Sequence, residues 1–480
     1  MLKVANKPSI NMTIVGFGQA GTRMADKFAE VKYTDGTPVY NCLALNSNDG
    51  DLLELQHVPR ENRVSLNLGG LGKNPEHAMT ILEENEEAKT KLKSFITDRI
   101  RPEDDLVLFF AGLGGGTGTS TIVKSINEFY DFHNKPLIAE ELKKIQRSVD
   151  SSDFKTNLNK YKKLAFKKAQ LKFVKIGVVA TLPVRSDGPD VLRQVNTFAN
   201  EIWKIAQNPT KGVAFVLFAD NQYLYDKWSE LGAKSKFENY RDYANSEIFN
   251  QIHEINIGTN SGGTSVTFDP KDFRRIIMEG TGMLVIGKDS KKMDEIQSGH
   301  DIKDMFIDAV NESTVHDKIK IEEKDEETGE TVYAKVHHVG LLASISDRLS
   351  NIGSSFLDTA KNEITDILPL SGTVFSGYII GRNNFNATVY TFYKTDALPT
   401  RLSKGLVKEY EEFQLKKRKI TYKKDSIEQI AATNDEFDDL DIDLDDLGIE
   451  IEETESDTNN DDEINIDDLD LDDIDIDKLD

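Results

Sequence analysis

The sequence predicts an α/β fold: a doubly wound parallel domain of nucleotide-binding type, a central helix, a smaller mixed α+β second domain and a disordered acidic tail. Three observations carry this. An apolar run, Leu106 to Ala111, leads into Gly114-Gly115-Gly116-Thr117-Gly118-Thr119-Ser120 and on into an amphipathic stretch, Ser120 to Phe132. A second strand–glycine–helix unit stands upstream, and almost all of the net charge of −24 sits in residues 435–480.

In the upstream unit Met12 to Val15 reads as a strand, Gly16-Phe17-Gly18-Gln19-Ala20-Gly21 as a loop and Thr22 to Val31 as a helix. A dinucleotide site on this unit predicts an acidic residue closing the second strand, to bind a ribose hydroxyl. That strand, Tyr40 to Leu45, ends instead in Asn46-Ser47-Asn48. The 114–120 run has four glycines in five positions, so backbone N–H groups can approach an anion without Cβ hindrance. Two threonines add hydroxyl donors, and the following helix adds its positive end, which makes a triphosphate the natural ligand. A merely flexible turn does not call for that length and order. The run is neither GxxxxGK[ST] nor the GxGxxG of a first βα turn.

With these residues in view, the chain resembles the tubulin/FtsZ superfamily of GTP-dependent polymerising proteins, within it most closely the plasmid and phage TubZ-type branch, over most of residues 10 to 420. GFGQAGTR (16–23) is similar to the first phosphate loop, LNSND (45–49) to the second and GGLGKNPEHA (69–78) to the third. GGGTGTS (114–120) resembles the signature fourth loop, TLPVRSDG (181–188) the ribose-contacting fifth and ADNQYLY (219–225) the base-contacting sixth. Six loops stand in the family's order. The resemblance implies nucleotide contacts from Gly18, Gln19, Ala20, Gly21, Asn46, Gly70, Gly72, Asn74, Gly114, Gly115, Gly116, Thr117, Gly118, Thr119 and Asp187. It implies GTP as ligand, with Mg2+ accompanying the triphosphate and no dedicated metal ligands in the sequence.

Guanine offers a donor edge beside an acceptor, which a side-chain amide meets in full. Asn221 and Asn245 are the candidates; as an alternative, either caps a helix or loop. Asn245 lies on 240–257, whose apolar spacing is helical and which resembles the superfamily's central helix. The base would stack on Tyr240 or Tyr243. The superfamily completes each hydrolytic site with acids from a seventh loop of the next subunit, which SVTFDPKDFRR (265–275) resembles. Asp269 and Asp272, three apart at the start of a helix beginning near Pro270, can share one face. Asp269 is the first candidate for orienting or activating the water, Asp272 the second. The structural alternative is an N-cap followed by a first-turn acid. Where FtsZ-like proteins carry an asparagine two places before the first aspartate, this chain has Thr267.

Residues 435–480 hold 24 acidic residues and one lysine, a net of −23, leaving 58 basic against 59 acidic residues over 1–434. Leu and Ile interleaved with aspartates repel too strongly and bury too little to fold alone, so a partner-binding disordered tail is expected. Its alternative is a solubilising bristle. Two basic stretches could receive it: KKRKITYKK (416–424), and an apparent helical insertion at about 134–172 that carries Lys143, Lys144, Arg147, Lys160, Lys162, Lys163, Lys167 and Lys168. The TubZ resemblance implies a DNA-binding adaptor as partner of the tail, although this tail ends acidic; its charge opposes direct DNA binding. The single cysteine, Cys42, lies in an apolar strand and reads as structural, and the eight histidines show no metal-ligand spacing. No apolar run reaches membrane-spanning length and the first ten residues lack a hydrophobic signal region, so a cytoplasmic protein is expected, with no membrane partner.

The expected boundaries are a GTP-binding domain at 10–239, central helix and linker at 240–262, second (activation) domain at 263–400, C-terminal helix with a basic end at 401–433, and tail at 434–480. In the second domain MLVIGK (283–288), the strands flanking ETGE (327–330), VFSGYIIG (374–381) and VYTFYK (389–394) should form a sheet covered by a helix over 344–368. The implied function is a GTPase that polymerises into cytomotive homopolymers for plasmid or phage DNA segregation or positioning. Two readings compete: a nucleotide-gated filament with little turnover, and an NAD-binding oxidoreductase, which accounts for the first glycine loop alone.

Overall fold

A computed structural model describes residues 2–261, 266–324, 329–381 and 385–420. The acidic tail, residues 421–424 of the basic stretch, Ser265 of the seventh loop and residues 327–328 of ETGE lie outside the described residues.

The chain runs β1 (Met12–Phe17), α1 (Gly18–Ala29), β2 (Asn41–Asn46), β3 (Arg63–Ser65), α2 (Pro75–Glu84), α3 (Glu86–Thr97), β4 (Leu106–Gly112) and α4 (Gly116–Phe129). A π-helical turn, Tyr130–Asn134, carries α4 straight into α5 (Lys135–Gln146), and α6 (Leu158–Ala169) packs back against α5. Then come β5 (Lys175–Leu182), α7 (Pro189–Gln207), β6 (Val213–Asp220), α8 (Asn221–Leu231) and the central helix α9 (Tyr240–Gly258). The second half comprises α10 (Pro270–Met278), β7 (Met283–Lys292), α11 (Gly299–Asn311), β8 (Val336–Ser346), α12 (Ser355–Ile367), β9 (Val374–Gly381), β10 (Asn386–Thr395) and α13 (Leu406–Lys419).

These ten strands form one sheet in the order β9-β8-β10-β7-β6-β5-β4-β1-β2-β3. From β3 to β7 every neighbouring pair is parallel; β10 runs antiparallel to β7 and β8. β1 and β6 are buried at every position and β4 at all but its last, as strands with helices on both faces must be. The strand order reverses between β1 and β4, the place where open α/β sheets bind ligands beyond their strand ends.

The two halves meet at β6 and β7 through a single register pair, Val216 with Met283. Side chains reinforce this thin seam. On α9, Asn256 exchanges two hydrogen bonds with the backbone of Ile10, at 2.8 and 3.0 Å, just before β1. Two residues earlier, on the other side of the helix, Glu254 accepts from Lys288 (2.7 Å) and Tyr390 (2.6 Å) of the second half. His253 also lies on α9, its Nδ1 2.9 Å from the Tyr40 hydroxyl and its ring stacked on Phe249. Burial lowers both His253 and the enclosed His316 to about 4. The unfolded chain takes up those protons near pH 6.5, so the stability these neutral imidazoles carry is complete above 6.5 and lost as pH falls towards 4. Urea midpoints across pH 7 to 4 should fall, and fall less in His253→Gln.

Several elements differ from expectation. The helices expected from Thr22 and Ser120 start at Gly18 and Gly116, inside the glycine runs, and Val31 belongs to a short strand, Val31–Tyr33, paired with Leu2–Val4. The helix expected over 344–368 begins only at Ser355, because residues 339–346 pair with β9, 339–344 pair with β10 as well, and a 3-10 turn, Asp347–Ile352, follows. The strands flanking ETGE, Glu322–Lys324 and Thr331–Tyr333, pair with each other and stay outside the main sheet; their exposed side chains give a second layer nothing to bury. The basic insertion is helical as expected. Ile138, Leu142, Ile145, Phe154 and Phe166 give it a small core separate from the main one. Cys42 is buried.

Candidate functional site

Phe17 and Ala111, near the ends of β1 and β4, are register partners, so α1 and α4 begin side by side. Neither helix has an acid in its first turn. Their N-termini touch through glycine alone: Gly18 has φ +65°, and a Cβ there would lie 2.7 Å from the Gly118 nitrogen. The first-turn N–H groups of Thr117 and Gly118 have no helical carbonyl to bond, and Gly115, Gln19 and Ala20 are exposed around them. Two positive helix ends converge on one anion-sized surface.

The remaining loops close on this surface by specific bonds. Gly116 N donates to Gly72 O at 2.8 Å, and a Cβ at Gly116 would sit 2.6 Å from Leu71 O, so the third loop docks on the fourth. Thr117 Oγ1 bonds Ser47 Oγ at 3.0 Å, joining second and fourth. Asp51 accepts from Gln19 (3.0 Å) and Asn46 (2.8 Å), joining first and second. Lys73 pairs with Asp187, joining third and fifth.

Individual positions vary in what they can offer a ligand. Gly70 and Gly72 are exposed, while Gly21 and Gly114 are buried. Thr119 is fully buried, its hydroxyl accepting from Gly114 N (3.2 Å) and lying 3.4 Å from Gly112 O, so its side chain shapes the loop instead of facing outward. Asn46 is likewise buried and engaged by Asp51 and the Ser47 N–H. Asn74 caps α2 through His77 N at 3.0 Å. Gly18, Gln19, Ala20, Gly115, Gly116, Thr117 and Gly118 form the cradle itself.

At the other end of the cradle α8 and α9 pack together: Tyr225, one turn after Asn221, meets Tyr240 edge-on at 5.4 Å. Tyr243 packs against Phe237, and burial, with Glu247 adding to it, pushes its phenol up to about 12, so it stays neutral. Asn221 and Asn245 are half-buried, and neither side-chain amide has a hydrogen-bond partner among the described residues.

This end is braced from the far terminus. Arg401 on the turn before α13 donates to Asp220 Oδ1 (2.6 Å), Pro183 O (2.9 Å) and both oxygens of Glu409 (3.0 Å each). Arg185 bonds the same Glu409 at 2.9 Å and its backbone N–H donates to Gln222. Burial opposes charge on Glu409, but the two guanidiniums hold its carboxyl below the usual range; for Asp220 burial prevails and raises it. A cavity of about 890 Å3 opens between α8, the exposed hairpin and α13, beside the cradle and not over it. Ser47, Asp51, Tyr225 and Arg401 were not among the expected residues. Asp51 lies just past the second loop and Tyr225 inside the sixth, but nothing local marks Arg401.

Asp269 and Asp272 are elsewhere. Asp269 caps α10, accepting from Lys271 N at 2.8 Å, and Asp272 stands in the first turn, its carboxyl raised by burial and by Asp269. Arg274, also on α10, bonds Asp105 Oδ1 (2.5 Å) and Ser9 O (2.9 Å), groups that precede β4 and β1. The aspartates thus belong to the end of the sheet opposite the glycine loops, a strand length of roughly 20 Å away.

Residues 254–406 match the family model described as tubulin/FtsZ-like protein TubZ-like, C-terminal domain. The chain is 26% identical over 310 residues to the tubulin-like protein TubZ of Bacillus thuringiensis subsp. israelensis, a match covering 59% of this chain and 55% of that relative. In fold it is similar to the GTPγS-form protofilament structure of TubZ from B. thuringiensis serovar israelensis, with a TM-score of 0.65 at 20% identity over 86% of this chain and 94% of that one. A helical model of a two-stranded TubZ-Bt filament aligns with a TM-score of 0.61 at 21% identity, over 86% and 91%. The order of the glycine loops, the sheet and the matched segment lead to one assignment: residues 254–406 form a TubZ-like C-terminal domain, and the chain around it is similar in sequence and fold to TubZ.

Proposed function

We propose that this protein binds GTP across the six loops, assembles head to tail into filaments and hydrolyses GTP at the interfaces between subunits. The observation that carries this is the opposition of cradle and carboxylates: Asp269 and Asp272 cannot reach the glycine loops of their own chain, but stacking would bring them over those of the next. The converging ends of α1 and α4 hold the phosphates, Thr117 supplies a hydroxyl, and Asp187 lies where the ribose is expected. Asn221 and Asn245 read the base, with Tyr240 as the stacking ring because it already shares an aromatic edge with Tyr225 on α8. Asp269 orients the water, helped by Asp272. The filament forms of TubZ support the same reading, and movement of plasmid or phage DNA, through an adaptor held by the tail, is the role proposed for the polymer.

Among the described residues no group of three or more His, Cys, Asp or Glu forms a metal site. Mg2+ fits only as an ion carried on phosphate oxygens and water, with Asp51 the carboxylate already held between the first two loops. It would neutralise triphosphate charge there.

Phosphate release from GTP should appear only above a threshold protein concentration, the same threshold at which light scattering appears. Scattering without release would leave a nucleotide-gated filament; release proportional to concentration with no threshold would reject the shared site. In the cradle, Gly18→Ala forces a Cβ against the Gly118 backbone at positive φ, and GTP affinity should fall about tenfold or more. Gly36→Ala, at a positive-φ turn outside the six loops with open space around it, should change affinity little in the same fluorescent-nucleotide titration.

A further inference from the structure

The helical insertion concentrates positive charge: residues 135–172 hold eleven Lys or Arg against four Asp or Glu, +7, which leaves the rest of 1–434 at −8. Its folded part is one-sided. Ala165, Phe166 and Ala169 of α6 are buried against Ile138, Leu142 and Ile145 of α5. The opposite side of α6 and the turn after it shows Lys160, Lys167 and Lys168, and between them two apolar side chains left in solvent, Leu164 (39% exposed) and Leu171 (85% exposed). Leu164 and Leu171 are seven residues apart, on one helical stripe. A single exposed leucine is ordinary; the stripe matters because two leucines stand on one line among three exposed lysines.

We propose that this stripe is the docking surface for residues 435–480 of the same chain. The tail is the complementary polymer: Leu and Ile spaced among aspartates, against Leu spaced among lysines, with net charge −23 facing +7. Neither property alone selects this site. The basic end of α13, Lys416 to Lys419 between the exposed Leu415 and Ile420, offers the same chemistry on a smaller scale: Leu406–Lys419 nets +2 against +7 for the insertion. Residues 421–434 span at most about 50 Å when extended, ample to cross a domain, and the tether keeps the tail's local concentration high in its own molecule. Each contact is weak, so the docked state is one that salt or a competing partner releases. The tail would then be held on the body until that partner, or a neighbouring subunit, takes it.

The test uses the full-length chain with a photo-crosslinking amino acid at position 171, where high exposure makes the replacement tolerable. Isotopically heavy and light chains are mixed without nucleotide, below the assembly threshold, and the cross-linked peptides are mapped by mass spectrometry. Cross-links should concentrate in 435–480 of the same chain and drop about tenfold in 1 M NaCl and in the triple variant K160E/K167E/K168E. Changing the Leu and Ile of 464–479 to Ser keeps the tail's charge and leaves the body untouched. It should lower the yield about threefold or more, and keeps the test valid if the triple variant fails to fold. Predominantly heavy–light products, cross-links spread without preference for the tail, or yields unchanged in the serine variant would each overturn the proposal. So would duplex DNA in place of the tail as the ligand whose retention the triple variant abolishes.

Discussion

Asp269→Asn is expected to bind GTP and assemble while losing phosphate release by about 10²-fold or more, the scale of a removed general base. Asparagine caps a helix as well as aspartate does, so Lys271 N keeps its acceptor and α10 its start. Asp269→Ala, by contrast, forfeits about 1 kcal/mol of cap as well and mixes stability with chemistry. In the aspartate form Asp269 helps raise the Asp272 carboxyl; neutralising it should let that group ionise at lower pH, shifting any acidic limb left in the residual activity downward. The decisive measurement is a mixture. Asp269→Asn chains retain the cradle and Gly18→Ala chains retain the acid, so at a GTP concentration too low to load the Gly18→Ala chains, combining the two proteins should recover part of the turnover. Failure to recover any would mean that each site acts within one chain.

The second large effect is on stability. Lys394 of β10 is buried, and its ammonium lies within 3.2 Å of four carbonyl oxygens, Ala214 of β6 and Ile277, Glu279 and Gly280 at the end of α10. It spans the seam where β6 and β7 share one register pair, and it satisfies helix-end carbonyls that have no other partner in the helix. Lys394→Met keeps the volume and strands those acceptors, so unfolding free energy should fall by about 3 kcal/mol, read from the urea midpoint. Burial, with Lys175 adding to it, lowers the ammonium to about 7, while Glu279 opposes. Between about 7 and the ordinary lysine value near 10.5, the unfolded chain binds a proton that the folded chain has released. Stability therefore gains with pH across that window, and the gain should vanish in Lys394→Met. Because α10 ends on this lysine, the variant should also loosen the segment that presents Asp269. A lysine whose replacement leaves both midpoint and pH slope unchanged would not be the clamp described here.

Much of the cradle was legible locally. Glycine runs between an apolar strand and an amphipathic helix describe a backbone approach that no other residue permits, and the structure puts Gly18 against Gly118 and Gly116 against the third loop. Single side chains were less legible. Thr119 and Asn46 are of ligand-binding type but their polar atoms turn inward, because a tight loop has its own donors to satisfy before it can serve a ligand. The helix expected at 344–368 failed for a related reason: residues 344–346 gain strand partners, Ser344 on both sides, and that pairing outweighs helical spacing.

The sequence by itself determined the alternation of strand, glycine turn and helix, the central helix, the capped DxxD segment and the segregation of charge between body, insertion and tail, since each depends on neighbours within a few residues. Only the tertiary structure decided that one ten-stranded sheet runs through both halves, that Lys394 and Arg401 join elements far apart in the chain, and that Asp269 stands at the end of the sheet away from the glycine loops. Those depend on strand order and on buried charges finding partners across the fold, for which spacing along a sequence carries no signal.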